Sequence, residues 1–453
     1  MKNESFPTPI WDFVRKYWES GISRLHMPGH KGKMFLGCEP FDITEIGGAD
    51  ALYEAEGIIA ESESYATKLF GTAGTFYSTE GSSQCIRAML ALALSHWRRR
   101  GNVSRPVVVA ARNVHKAFLY AATLLDFDVK WLWPEATSDS VCSCPITPQS
   151  LQKTLSECET PPAAVYLTSP DYLGGMAQIP ALSAICKEHE TLLLVDNAHG
   201  AYLHFLEKSL HPMDLGADLC CDSAHKTLPA LTGAAYLHIS HRVSELAGEA
   251  KQAMVLFGST SPSYLTLSSL DLCNRYLATG YWESLKEAIG RVEQLKERLR
   301  TAGFSILESD PLRLTVDAPK QAQTLLSSCR EAMAECEFAD EDYLVMMFTP
   351  ENDPVDYERA ERGLLAGKCR KVDDVSARTP LPKSRPEQVC SIREAMLSVQ
   401  KSISTREALG VICAAPTVSC PPAIPIVMPG ERIGAEEIAL FLQYGMETVR
   451  VML

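Results

Sequence analysis

The feature that most constrains this chain is a series of short, continuously apolar runs separated by longer helical stretches. Residues 106–110 (PVVVA), 163–168 (AAVYLT), 191–196 (TLLLVD), 217–222 (ADLCCD) and 233–239 (GAAYLHI) read as strands. Runs without polar alternation suit strands covered on both faces. Between them, 82–99, 115–125, 148–158 and 179–188 read as helices. Strand–helix alternation predicts an α/β fold with a mostly parallel sheet. Ligands of such sheets bind beyond the carboxyl ends of the strands, so the residues that follow each strand carry the functional reading.

Beyond 262 the pattern changes. Long helices are expected over 262–279 and 281–300, then strands over 304–307, 312–316 and 343–348. Helices are expected over 321–336 and 386–404, with a last helix at 434–444 closing the chain and a polar excursion over 350–385. A boundary near Gly280 divides the chain into an N-terminal segment 1–40, a large domain 41–280 and a smaller α/β domain 281–453.

Composition narrows the function. With 43 Lys and Arg against 56 Asp and Glu, the net charge of −13 argues against a nucleic-acid binder, which would show a basic face. No apolar stretch reaches the roughly 18 residues of a membrane span. The first ten residues lack a basic start followed by an apolar core, so a cytoplasmic protein is expected. The 15 cysteines sit largely in apolar runs and read as reduced, buried thiols. Cys142, Cys144 and Cys158 have the wrong spacing for a zinc cluster, and no metal is expected.

Four stretches place unusual polar chemistry where strands end or helices open. Asp196, in Val195-Asp196-Asn197-Ala198-His199, ends a buried strand and needs a cation or a donor, unless it only caps a turn. Lys226, in Asp222-Ser223-Ala224-His225-Lys226, is either a loop lysine or a desolvated amine ready to form an imine. Gly81-Ser82-Ser83 opens a helix and is a phosphate cradle on physical grounds, although Ser is also an ordinary N-cap. His115 can stack on a flat ring or cap the next helix. An acid, an imine lysine, a phosphate cradle and a stacking His are together what pyridoxal phosphate needs.

With these residues in hand, the chain resembles the ornithine/lysine/arginine decarboxylase group of pyridoxal-phosphate enzymes. The matching stretches are Leu25-His26-Met27-Pro28-Gly29-His30-Lys31-Gly32, Phe41-Asp42-Ile43-Thr44-Glu45, 195–200, 223–232, 259–264, Pro421-Pro422-Ala423-Ile424-Pro425 and Pro429-Gly430-Glu431. The resemblance implies the aspartate-aminotransferase-like fold type I, in the compact form without an N-terminal regulatory domain. It implies Lys226 as the imine lysine, Asp196 on the pyridine nitrogen, His115 stacked on the ring and His199 near the ring oxygen. It implies Ser82, Ser83, Ser223 and His225 around the phosphate and the imine, with His225 or Lys226 returning a proton to Cα. Thr260 and Ser261 resemble residues that reach a neighbouring subunit's phosphate, which implies a homodimer or higher homo-oligomer with shared active sites. Glu431 resembles an acid that meets the distal cation of the substrate, and His30 and Glu45 are further substrate-binding candidates.

Two departures from the family pattern fall at Glu80, where Asn is usual, and Asn197, where Glu is usual. Asp42, Glu45 and Asp50 are either helix-capping or substrate-binding acids. Trp131 and Trp133 alternate and are expected to pack one sheet face, and Arg98, Arg99 and Arg100 are expected to satisfy helix-terminal carbonyls. The implied activity is decarboxylation of arginine, lysine or ornithine to an amine and CO2. The rivals are an aminotransferase or lyase on another amino acid, with Arg432 or Arg450 as carboxylate clamp, and a catalytically silent regulatory paralogue.

Overall fold

Thirteen strands are arranged in three sheets among the residues described by the computed structural model, 6–134, 140–368, 381, 385–418 and 424–453. The strands of the first sheet are β1 (Gly74–Ser78), β2 (Val107–Ala111), β3 (Asp128–Leu132), β4 (Ala164–Thr168), β5 (Leu192–Asp196), β6 (Leu219–Asp222) and β7 (Ala235–Ile239). Their order is β1-β7-β6-β5-β4-β2-β3. β2 pairs in parallel with β3 and β4, and β5 in parallel with β6, whereas β7 runs antiparallel to β6 and β1. The sheet is therefore mostly parallel, and the fold is α/β, as the alternation predicted.

The chain divides into two compact units, Met1–Val103 with Glu190–Leu285, and Ser104–His189 with Lys286–Leu453. In the first, the helix Ser82–Arg99 packs on β1, β5, β6 and β7. Its start is set by Gly81, whose φ of +69° only glycine adopts at low cost. Its buried side chains include Cys85, Met89, Leu92 and Ala93. The helices Pro9–Glu19, Ile58–Phe70 and Tyr264–Thr279 pack on one another, and Ser263 caps the last by accepting from the Thr266 N–H.

In the second unit, β8 (Ser305–Ile306), β9 (Arg313–Asp317), β10 (Phe338–Ala339) and β11 (Tyr343–Met347) form an antiparallel sheet in the order β10-β11-β9-β8. β12 (Gln400–Ser404) and β13 (Thr448–Met452) form an antiparallel pair. Val427, Ile433, Phe441, Val449 and Val451 gather in a small core of this C-terminal region.

The five strands of the central pattern lie within two residues of their expected ends, and the helices Ser82–Arg99 and Ile179–Glu188 fall on the expected bounds. Others differ. The helix expected over 386–404 is the short Ile392–Leu397 followed by β12, because Ser391 and Glu394 form a capping box and the backbone turns extended at Ser398. The helix expected over 321–336 is Ala322–Glu331, stopped before Met333, which has a φ of +64°. The expected excursion 350–385 contains the helix Pro354–Gly367, started by the Asp353–Asp356 capping box, and its residues 369–380 and 382–384 lie outside the described ones. The helix Ala435–Gln443 does not close the chain, since β13 follows it. Arg99 and Arg100 pair with Glu249 and Glu190 at the surface, so they do not serve their own helix carbonyls; Asn102 reaches the Trp97 carbonyl instead.

The described cysteines are free thiols, and Cys85, Cys142, Cys186, Cys220, Cys221, Cys273, Cys329 and Cys413 are buried.

Candidate active site

The ends of β5 and β6 carry the polar residues that the sequence singled out. Asp196 is the last residue of β5, is 2% exposed, and stands opposite Cys221 in the parallel register. Its Oδ1 accepts from the Ala198 N–H at 3.2 Å and from the Cys221 thiol at 3.6 Å. Just past β6, Ser223 precedes a single helical turn, Ala224–Thr227, that presents His225 and Lys226. The Lys226 Nζ lies 2.9 Å from His199 Nε2. His225 Nδ1 lies 3.0 Å from the Ala234 carbonyl, which can only accept, so Nδ1 carries the proton and Nε2 is the basic nitrogen. Burial, with the nearby Lys226 charge, pushes the His225 pKa below its ordinary value, and the ring is neutral at pH 7.

Ser223 donates to Ser82 at 2.8 Å, which joins the β6 turn to the first residue of the helix Ser82–Arg99. That helix is 18 residues long and opens with uncapped N–H groups at Ser82 and Ser83, because Gly81 makes no side-chain cap. A Cβ at Gly81 would meet nothing within 4 Å, so the space before this helix end is open. A positive helix end, two hydroxyls 2.8 Å apart, a lysine amine and a buried acid suit a phosphorylated pyridine aldehyde. The donor set fits pyridoxal phosphate. Glu80, the first departure, is exposed and its carboxylate takes no part in the Ser82–Ser223 contact.

Asn197, the second departure, is buried and donates through Nδ2 to Asp222 Oδ1 at 2.7 Å. Asp222 is fully buried, with His211 Nε2 and His238 Nε2 each 3.0 Å from Oδ2. Burial alone would raise its pKa. The two facing imidazoles outweigh burial and hold the carboxyl well below the usual range. This array was not read from the sequence. Asp222 was visible only as the residue before Ser223, and His211 and His238 come from distant segments that no spacing connects.

The remaining candidates of the first unit lie apart from these groups in their contacts. His30 accepts the Gly32 N–H at Nδ1, so its Nε2 proton points to Asp42 at 3.2 Å. Glu45 is exposed, with the Thr44 hydroxyl on its carboxylate. Asp50 is a capping acid: its Oδ2 accepts from Gly57 and Ile59 at the start of the helix Ile58–Phe70. Thr260 and Ser261 are exposed just before the helix Tyr264–Thr279.

Two candidates belong to the second unit. His115 caps the helix Lys116–Leu125 by accepting the Ala117 N–H at Nδ1. Glu431 is 1% exposed and engaged by Arg112, whose two terminal nitrogens lie 2.6 and 3.1 Å from its oxygens. The Arg112 guanidinium lies 5.0 and 4.5 Å from the Trp131 and Trp133 ring centres. Pro421, Pro422 and Ala423 lie outside the described residues; Ile424 is buried.

The sheet and the group of residues around Lys226 and Asp196 define a pyridoxal-phosphate enzyme of fold type I. The family model "Orn/Lys/Arg decarboxylase, major domain" matches residues 8–318, and the chain belongs to that family as a pyridoxal-phosphate-dependent decarboxylase. A Bacillus subtilis arginine decarboxylase is 27% identical over 95% of this chain and 92% of its own length. An uncharacterized Bacillus subtilis protein, YaaO, is 28% identical over 95% of this chain and 93% of its own. Among solved structures, the E. coli constitutive lysine decarboxylase aligns with a TM-score of 0.79 at 18% identity, covering 99% of this chain and 82% of that one. A serine palmitoyltransferase described as "SPT with PLP internal aldimine" aligns with a TM-score of 0.55 at 14% identity, over 80% of this chain and 84% of its own. Among the described residues no helix is long and apolar enough to cross a membrane.

Proposed function

We propose that this chain decarboxylates a basic amino acid, with arginine the first substrate to test, and releases the corresponding amine and CO2. The observation that carries the reading is the Lys226 amine, set 2.9 Å from His199 Nε2 one turn beyond β6 and beside the strand that ends in Asp196. Relatives named arginine decarboxylase support arginine, since they match over nearly their whole length.

Pyridoxal phosphate, when bound, supplies an aldehyde and an electron-withdrawing ring. Lys226 is the residue proposed to hold it covalently and to yield it to the substrate amine, with His199 keeping Nζ in place. Asp196, at the end of β5, is proposed to pair as a carboxylate with the ring nitrogen and would then stabilise charge that develops as CO2 leaves. Ser82, Ser83 and Ser223 are proposed to bind the phosphate. His225, neutral with Nε2 basic, is proposed to carry a proton to and from Cα. His115 is proposed to cover one ring face while its Nδ1 caps its own helix. Among the acids proposed for the distal cation, Glu45 is exposed, whereas Glu431 is already neutralised by Arg112. Glu431 Oε2 also accepts the Met428 N–H at 2.7 Å, so a substrate cation would have to share the carboxylate with both partners. His30 is a proposed substrate contact, with Asp42 orienting its ring. The cofactor-bearing domain is proposed to span 41–280.

The test is product identification by purified holoenzyme supplied separately with arginine, lysine and ornithine. Agmatine with stoichiometric CO2 supports the reading, and cadaverine or putrescine as the main product reassigns the substrate. A keto acid without CO2 overturns decarboxylation. Borohydride reduction should trap the cofactor on Lys226 and leave Lys226→Ala unlabelled; label on another lysine overturns that role.

A further inference from the structure

Asp196 and Lys226 stand on neighbouring parallel strand ends, and their chemistry requires that these two ends keep a fixed offset. The register pairs Asp196 with Cys221, and the Asn197 N–H donates to the Cys221 carbonyl at 3.0 Å. Side chains alternate between the faces of a strand. Asp196 and Cys221 therefore share one face, where the thiol meets Oδ1, and Asn197 and Asp222 share the other. Ser223 follows on the first face, with its hydroxyl on Ser82.

On the second face, Asn197 Nδ2 donates to Asp222 Oδ1 at 2.7 Å. His211 and His238 supply two further donors to Asp222, the Cys220 thiol lies 3.8 Å from its Oδ1, and each ring is oriented from its far side. The Met213 N–H donates to His211 Nδ1, and the Thr75 hydroxyl lies 2.9 Å from His238 Nδ1. Asn197, His211, Asp222 and His238 are each 0% exposed. A buried carboxylate so surrounded has one low-energy position, and Asn197 inherits it.

We propose that Asn197 and Asp222 are positioning residues, whose hydrogen bond on the sheet face away from Asp196 bolts the end of β5 to the end of β6. The bolt sets Asp196 against the Ser223–Lys226 turn without touching cofactor or substrate. An amide is required at 197 because the partner is an ionised carboxylate. A carboxylate there would face Asp222 at hydrogen-bond distance in a buried site. The inference rests on the proposed roles of Asp196 and Lys226.

The test uses holoenzyme. Asn197→Ala and Asp222→Asn should still be trapped on Lys226 by borohydride. They should lose about 10- to 100-fold in kcat, the scale expected for a misplaced catalytic group, with KM near native. The pH midpoint of the bound cofactor's absorbance should also move, since that midpoint reports the imine nitrogen on Lys226, whose acidity depends on the ring proton that Asp196 is proposed to hold. A residue that only stabilises the fold would lower the melting temperature and leave that midpoint unchanged. The reversed pair, Asn197→Asp with Asp222→Asn, restores one donor facing one carboxylate and should recover both kcat and the midpoint. Recovery of folding by this pair supports the bolt even where a single variant fails to fold. Trapping on Lys226 with native kcat and midpoint in the single variants overturns the bolt alone, as does a folded, loaded reversed pair with no recovery. Trapping elsewhere overturns the roles on which it rests.

Discussion

Single side chains set the chemistry and its dependence on pH. Asp196→Asn keeps the shape of the side chain and removes its charge, so kcat should fall on the order of 10²-fold or more. Steady-state kinetics measure this, and near-native turnover would remove Asp196 from its proposed role. Glu39 makes a separate prediction. Its carboxylate accepts the N–H groups of Leu36, Phe35 and Gly37 at 2.6, 2.9 and 2.9 Å. Burial opposes its ionisation, yet these donors outweigh burial and bring its pKa from 4.5 down to about 2. The folded value lies below the unfolded one, so this contribution to stability is complete above the unfolded pKa and is lost as pH falls toward the folded one. The amides of residues 35–37 should stay protected from hydrogen exchange at about pH 3 and lose that protection in Glu39→Gln. Protection that disappears at that pH in the native chain, or survives in the variant, would contradict the assignment.

At the scale of elements, Phe441 shows how the C-terminal region holds together. It is fully buried on the helix Ala435–Gln443 and packs among Ile433, Val449 and Val451. Phe441→Ala should cost about 3–5 kcal/mol, seen as a lower denaturation midpoint. A loss within error would mean that the cavity closes. The strands show where sequence reading stops. β5 and β6 were legible because both faces are covered and no polar residue interrupts them. β1 was not, since GTFYS carries no apolar run, and β3 was not, because Asp128 and Lys130 break its pattern at the sheet edge. β12, with sequence QKSIS, is exposed along most of its length and exists because β13 pairs with it. In the site, position singled out the residues beside the strand ends, and the resemblance supplied the roles expected of them. Asp222 with His211 and His238, and Arg112 with Glu431, were not legible, because their partners are 11, 16 and 319 positions apart.

At the scale of the whole molecule, the family resemblance implies shared active sites, and we propose a dimer as the working unit. Thr260 and Ser261 are exposed. Chains carrying Lys226→Ala mixed with chains carrying Thr260→Ala and Ser261→Ala should regain activity. A hybrid dimer holds one site with both lesions and one with neither. Confirmed hybrids without recovery from inactive parents, or a fully active monomer in sedimentation, would count against sharing.

The interior thiols give the protein a one-way character. Burial raises the pKa of Cys85 and Cys413 to about 12 and lifts Cys220 and Cys221 well above the ordinary value. While the chain is folded these sulfurs are shut off from oxidants and alkylating reagents. Once it opens they all become reactive together, and none has a native disulfide partner to return to. Heat or denaturant in air would then weld unfolded chains into mismatched cross-links. For these buried sulfurs a reductant therefore matters little while the chain is folded and a great deal to one that must find its way back.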